Sequence, residues 1–348
     1  MKRFIIRTTL VILPVFILLV LVNYFGDAAN LFSKNFEMKV AEGLLSGSNV
    51  TNVTDYNERL LQKYLITKGK LCPDIVVLGS SRTLELNSSN FPGKTFFNNS
   101  VSGATIEDIT AIYELYKQNK CAPKNIILGL DPWTLNKNNN QVRWKSLARE
   151  YNIFLTELKR DTVQHDESTD KYSQLISPSY FLASFKQLRH SKKPVLIKTV
   201  GNKEFTRVKD GSVSYGDDHR NQTLTQIEDK AKEYATVNNI YSVEKFNELS
   251  PDVIFVLENF IAALKRDNIS VTFFLSPYHP LVYHIFETND QYKEIRQSEI
   301  YYRSLAAKYN IPVLGSFDPQ AYGMDGSYFY DGMHCNEQGI KKLLVGYH

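Results

Sequence analysis

The sequence predicts an α/β fold, a three-layer α/β/α sandwich around a mostly parallel five-stranded sheet, carried on an N-terminal transmembrane helix. Three observations predict it. Five short segments, at 74–79, 95–98, 125–130, 269–275 and 311–315, are almost wholly apolar and rich in β-branched or aromatic residues. That is the composition of strands buried on both faces. Helix-like stretches lie between several of them, and strand–helix alternation folds into a parallel sheet with right-handed crossovers. The third observation is an uninterrupted apolar run at the N-terminus.

Lys2, Arg3 and Arg7 flank a run of Leu, Val, Ile and Phe that meets no further charge until Asp27. From Phe4 the stretch covers about 22 residues, or roughly 33 Å of helix, enough to cross the hydrocarbon core. Arg7 lies one turn inside and can snorkel back to the headgroups. Residues 1–27 therefore read as a cytoplasmic tip and a membrane anchor, with the chain after Asp27 outside. A cleavable signal peptide is the alternative, because Gly26-Asp27-Ala28 imitates a small-residue cleavage site. Either way the remainder is exported.

Residues 28–70 are polar and weakly periodic, a juxtamembrane stalk ending in a helix-like stretch at 57–69. The main domain is expected at 71–348. Its helices are predicted over 105–120, over 251–265 after the Ser250 cap and Pro251, over 290–309 and over 337–344. Between 134 and 249 the strand–helix rhythm disappears. Such a length exceeds an ordinary loop, so it is expected to be an insertion or cap beside the site, with one helix over 177–190.

Composition narrows the function. The chain has 348 residues, 43% hydrophobic, with a formal net charge of +4 from 41 basic and 37 acidic side chains. No basic block alternates with aromatics, so there is no nucleic-acid footprint. The 21 Tyr and 20 Phe suit a thick core and a carbohydrate-facing surface alike. Cys72 and Cys121 each precede a predicted strand. If those strands are parallel neighbours, the thiols meet at one end of the sheet, and a disulfide is feasible in an oxidising compartment. Two unlinked thiols are the alternative. The three cysteines lack metal-ligand spacing and nothing completes Asp217-Asp218-His219, so no metal is expected; chemistry that needs only side chains and backbone amides calls for no cofactor either.

Two constellations carry chemistry. The first strand ends in Gly79-Ser80-Ser81-Arg82, at the carboxyl edge where open α/β sheets place their sites. Near the C-terminus stands Asp331-Gly332-Met333-His334, a spacing that brings carboxylate and imidazole onto one turn. In the order Ser, Asp, His, these are the parts of a nucleophilic triad.

Here the sequence resembles the SGNH/GDSL hydrolases. Gly79-Ser80-Ser81 matches their first block and makes Ser81 the expected nucleophile. Asp331 and His334 match their last block. Asn99-Ser100-Val101-Ser102-Gly103 is similar to their second block, which nominates the Gly103 amide for the oxyanion hole beside that of Ser81. The third block departs: Leu128-Gly129-Leu130-Asp131 offers no Asn, and an ionised Asp131 cannot donate. A third oxyanion donor stays unassigned.

The anchor, the Gly-Ser-Ser block and Asp131-Pro132 resemble the branch containing the teichoic-acid D-alanine-transfer protein and alginate O-acetyltransferase-like proteins. The resemblance implies an extracytoplasmic O-acyltransferase, most simply O-acetyl, acting on a cell-surface or exported polysaccharide. It also implies a multispanning membrane acyltransferase as partner. An esterase with the same triad and an inactive scaffold are the alternatives. Arg82, Asp131, Trp133, Tyr278 and His279 are further candidates for substrate contacts, since all fall near the carboxyl edge.

Overall fold

The computed structural model describes residues 1–27, 31–32, 36–53, 56–163, 172–190, 194–201, 203–236 and 240–347. Ala28, the last residue of the cleavage-like tripeptide, lies outside them.

Helix α1 (Lys2–Gly26) is long and apolar enough to cross a membrane, and its most apolar window makes no buried contacts. Pro14 sits within it. The chain then forms α2 (Phe36–Leu45), β1 (Asn49–Thr51) and α3 (Glu58–Gly69). Val40, Leu44, Val50, Leu61 and Leu65 of these elements are buried together with Phe97. The segment expected to be a stalk is thus folded onto the domain. Its polar look arises because α3 spends charged residues inward: Arg59 forms a bidentate bond to Asp108 at 2.8 and 2.9 Å, both side chains buried.

The main sheet contains β2 (Ile75–Leu78), β3 (Phe96–Asn98), β4 (Asn125–Gly129), β8 (Ser270–Leu275) and β9 (Val313–Gly315). All pairs are parallel, in the order β3-β2-β4-β8-β9. The order reverses direction between β2 and β4, so their carboxyl ends flank the crevice where such sheets bind ligands.

Alternate residues face opposite cores. Val76, Leu78, Ile126, Leu128 and Phe273 pack against α4 (Ile106–Gln118), α5 (Ala148–Glu157) and later helices at Pro251–Arg266 and Lys293–Tyr309. Ile75, Val77, Ile127 and Phe274 face a second core built from Leu86, Phe91, Met324, Phe329 and Ile340. That second covering is mostly irregular chain with the short helix Glu337–Leu343. A helical layer therefore covers one face, and the second helical layer of the expected sandwich is only partly present.

The expected insertion divides between three places. Leu147, Tyr151 and Phe154, in and just before α5, join the main core. Helix α6 (Pro178–His190) packs beside α1. Strands β5 (Val195–Ile197), β6 (Thr206–Arg207) and β7 (Val213–Ser214) join β1 in a four-stranded sheet ordered β5-β1-β6-β7. Helix α7 (Leu224–Thr236) then leads to the helix at Pro251–Arg266, α8. After β8 come α9 (Pro280–Thr288), α10 (Lys293–Tyr309) and, last, α11 (Glu337–Leu343). Cys72 and Cys121 are joined in a disulfide, Cα atoms 4.7 Å apart, before the parallel neighbours β2 and β4. Cys335 is free and buried.

Candidate active site

β2 ends at Leu78 because Gly79 must pass closely over β4. A Cβ on Gly79 would stand 2.6 Å from Thr83 Oγ1 and 3.0 Å from Gly129 Cα. The chain then enters one 3-10 turn, Ser81–Thr83, capped by Ser80, whose Oγ accepts from the Arg82 amide at 3.2 Å. Ser80 is thereby buried and occupied. Ser81 projects the other way, and its Oγ lies 2.9 Å from His334 Nε2.

The Asp331 turn explains the rest of the alignment. Asp331 Oδ1 accepts from the amides of Met333 (2.8 Å) and His334 (2.9 Å). Its two oxygens lie 3.1 and 2.9 Å from His334 Nδ1. Tyr330 N donates to His334 O at 2.9 Å, closing the turn. Burial pushes the Asp331 carboxyl upward. The His334 ring and the two amides outweigh it and hold Asp331 well below the usual carboxylate range. The carboxylate stays ionised and fixes His334 with Nδ1–H toward it and Nε2 free to accept from Ser81. The relay is open to solvent, with the His334 and Asp331 side chains 21% and 30% exposed.

No family model matches the chain, and no curated protein matches it significantly. The site therefore stands on its own geometry.

Gly103 follows β3 with φ +58, the left-handed region that favours glycine. Its loop is docked beside the Ser81 turn by Val101 N to Gly79 O at 3.0 Å and by Thr83 Oγ1 to Ser100 Oγ at 2.8 Å. Among the described residues, neither the Ser81 nor the Gly103 amide donates to an acceptor. Both N–H groups are thus free, on two loops docked side by side.

The brace for that loop is α3, which sequence reasoning missed. Gln62 Oε1 accepts from Asn99 Nδ2 at 2.7 Å, Glu58 accepts from Ser102 N, and Arg207 of β6 donates to Glu58 at 2.8 Å. Also unforeseen is Arg143. It reaches to Gly103 while donating to Gln141 Oε1 (2.9 Å) and Tyr241 Oη (2.8 Å). Nothing in the local pattern marked it, because Gly103 and Tyr241 are distant in sequence.

The five additional candidates are all buried. Arg82, Asp131, Trp133, Tyr278 and His279 are between 0 and 4% exposed. Arg82 Nη1 pairs with Asp131 Oδ1 at 2.8 Å, and its other nitrogens donate to Met333 O (3.0 Å), Pro277 O (2.9 Å) and Ser276 O. The guanidinium also lies 3.9 Å from the Tyr278 ring centre. Trp133 Nε1 donates to Ala104 O at 3.0 Å. His279 caps α9 through Nδ1, and burial holds its pKa below the ordinary imidazole value. These buried contacts fasten the turns that carry Ser81, Gly103 and His334.

A cavity of about 380 Å³ is lined by Asn52, Lys203, Phe205, Tyr215, Asp218 and His219, with Gln187 of α6 at its edge. Tyr215 stacks on His219 at 5.2 Å, and both rings contact Tyr330, the residue before Asp331.

Proposed function

We propose that this chain is an SGNH-type serine acyltransferase, anchored by α1 with its N-terminus cytoplasmic and its domain outside. In this reading it moves an acyl group, most simply acetyl, onto hydroxyls of a surface or exported glycopolymer. The observation that carries the reading is the continuous relay from Ser81 Oγ through His334 to Asp331.

His334 Nε2 takes the Ser81 proton as Oγ attacks the acyl carbonyl. The amides of Ser81 and Gly103 donate to the oxyanion that develops. The donor's leaving group takes the proton back from His334, and the acyl group stays on Ser81. An acceptor hydroxyl then gives its proton to His334 and attacks the acyl-serine, and His334 passes that proton to the departing Ser81 Oγ, restoring the free serine. The cavity beside Tyr330 supports a sugar acceptor, because Phe205 and Tyr215 supply ring faces among polar groups. The donor fits delivery by a multispanning membrane acyltransferase, which the anchor brings within reach.

Intact-mass analysis of the full chain in detergent, treated with an activated acetyl ester, tests this directly. The expected product carries one acetyl group on Ser81, and Ser81→Ala and His334→Ala abolish it. An unlabelled, folded protein would overturn the enzyme reading. Oligosaccharide acceptors come next: acetyl-sugar is expected, whereas release to water alone identifies an esterase.

A further inference from the structure

We infer that α6 is a second membrane contact, lying in the outer leaflet beside α1 with its apolar stripe against lipid. The inference rests on α1 crossing a bilayer and is independent of the chemistry at Ser81.

About 20 residues of helix span the hydrocarbon core. Counted from Phe4, the outer edge falls near Tyr24. α1 is exposed along most of its length and becomes covered only at its end, at Leu19, Val20, Val22, Asn23 and Gly26. The covering elements are α6 and the 3-10 turn Gln174–Ile176. Asn23 Nδ2 donates to the carbonyls of Gln174 (2.9 Å), Leu175 (2.9 Å) and Ser177 (3.1 Å). Gly26 is so close to Ser184 that a Cβ would collide with the Ser184 backbone. Tyr180 Oη donates to Asp27 at 3.0 Å. Helix α6 is therefore fixed at the depth where hydrocarbon gives way to headgroups. Irregular backbone is tolerated at such depth when a protein group satisfies its carbonyls, as Asn23 does here.

Two further observations agree. Tyr24, Phe32 and Tyr172 form an aromatic cluster at the exit of α1, ring centres 5.6 and 6.2 Å apart. Aromatic belts occupy this level of a membrane. Exposed apolar side chains also gather on the elements that cover the end of α1: Ile176, Leu182, Phe185 and Leu188. Along α6, Tyr180, Ser184 and Gln187 turn inward, whereas Phe181, Leu182, Phe185 and Leu188 share one side and Ser179 and Ala183 the other. Leu182 is 70% exposed, which water penalises and a leaflet does not.

Site-directed spin labelling of the full chain in phosphatidylethanolamine–phosphatidylglycerol proteoliposomes tests this. The remaining native thiol, Cys335, is buried, so introduced cysteines label selectively. Leu182→Cys, Phe185→Cys and Leu188→Cys are expected to be several-fold less accessible to a water-soluble nickel chelate than Leu224→Cys, and more accessible to oxygen. Ser179→Cys and Ala183→Cys are expected to stay chelate-accessible. Leu13→Cys reports separately whether α1 is inserted. Labels at 182, 185 and 188 as chelate-accessible as at 224, with α1 inserted, would overturn the inference. Spin–spin broadening among them would also overturn it, by making a second copy the occupant.

Discussion

The Arg82 side chain is 0% exposed and serves four acceptors from three separated loops. Arg82→Met keeps the apolar stem and removes the fork. Asp131 then lies buried without its countercharge, which costs about 3–5 kcal/mol when one partner of a buried pair is deleted. Buried carbonyls left without donors cost about 1–3 kcal/mol each. The losses overlap because they share one guanidinium, so the expected total is about 4–6 kcal/mol, against about 5–15 kcal/mol for a whole domain. Thermal unfolding in detergent, followed by near-UV circular dichroism, is expected to shift down by roughly 10–20 °C. Acyl labelling at Ser81 is expected to fall as well, because the bond to Met333 O holds the relay turn. Combining Arg82→Met with Asp131→Asn should recover part of the loss, with a coupling of about 1.5 kcal/mol or more. A loss below about 1 kcal/mol, or strict additivity of the two changes, would refute the account of Arg82 as the clamp of the site.

Replacing Cys72 and Cys121 by Ser opens a cross-link between residues 49 apart and should cost about 4 kcal/mol, read as a lower denaturant midpoint. Gly103→Ala forces a side chain into φ +58 and against Tyr241 Oη and Arg143. It should lose about tenfold or more in Ser81 acylation rate, measured in stopped flow, with about 1–2 kcal/mol of stability. Glu85 is pushed up to about 8 by burial, against an ordinary value of 4.5. Between those values the folded protein holds a proton that the unfolded chain has released. Stability is therefore fully present below about pH 4.5 and falls as pH rises toward about 8. Glu85→Gln should match the parent near pH 5 and exceed it by on the order of 2 kcal/mol above pH 8, by urea titration. Equal stabilities at high pH would remove Glu85 as the cause.

The five central strands were legible because each is an apolar run ended by a residue with a local reason, as Gly79 ends β2. The relay was legible for the same kind of reason: Asp331 and His334 share a turn, and Ser81 follows a buried strand. The small sheet was not, since two- and three-residue strands carry no period to detect. The inward use of charge was equally hidden. Arg59 reads as a surface residue until its partner arrives from 49 residues away, and Glu58 until its partners arrive from 44 and 149; Arg82, read as a substrate contact, meets its partners from 49 to 251 residues away. Trp133, Tyr278 and His279 fell near the correct edge of the sheet, but position at an edge does not say whether a ring faces cleft or core.

The pairing of β1 with β5 sets an order of assembly. Thr51 meets Val195 across 144 residues of chain, so β1 has no partner until more than half the polypeptide has emerged. Contacts of such separation close slowly. Because Arg207 of β6 secures Glu58, and Glu58 secures the Gly103 loop, that loop matures after that closure. A chain synthesised from its N-terminus thus exposes a short unpaired edge until Val195 has been added. Folding helpers, and mutations that slow synthesis, should act first on β1 and not on the central sheet.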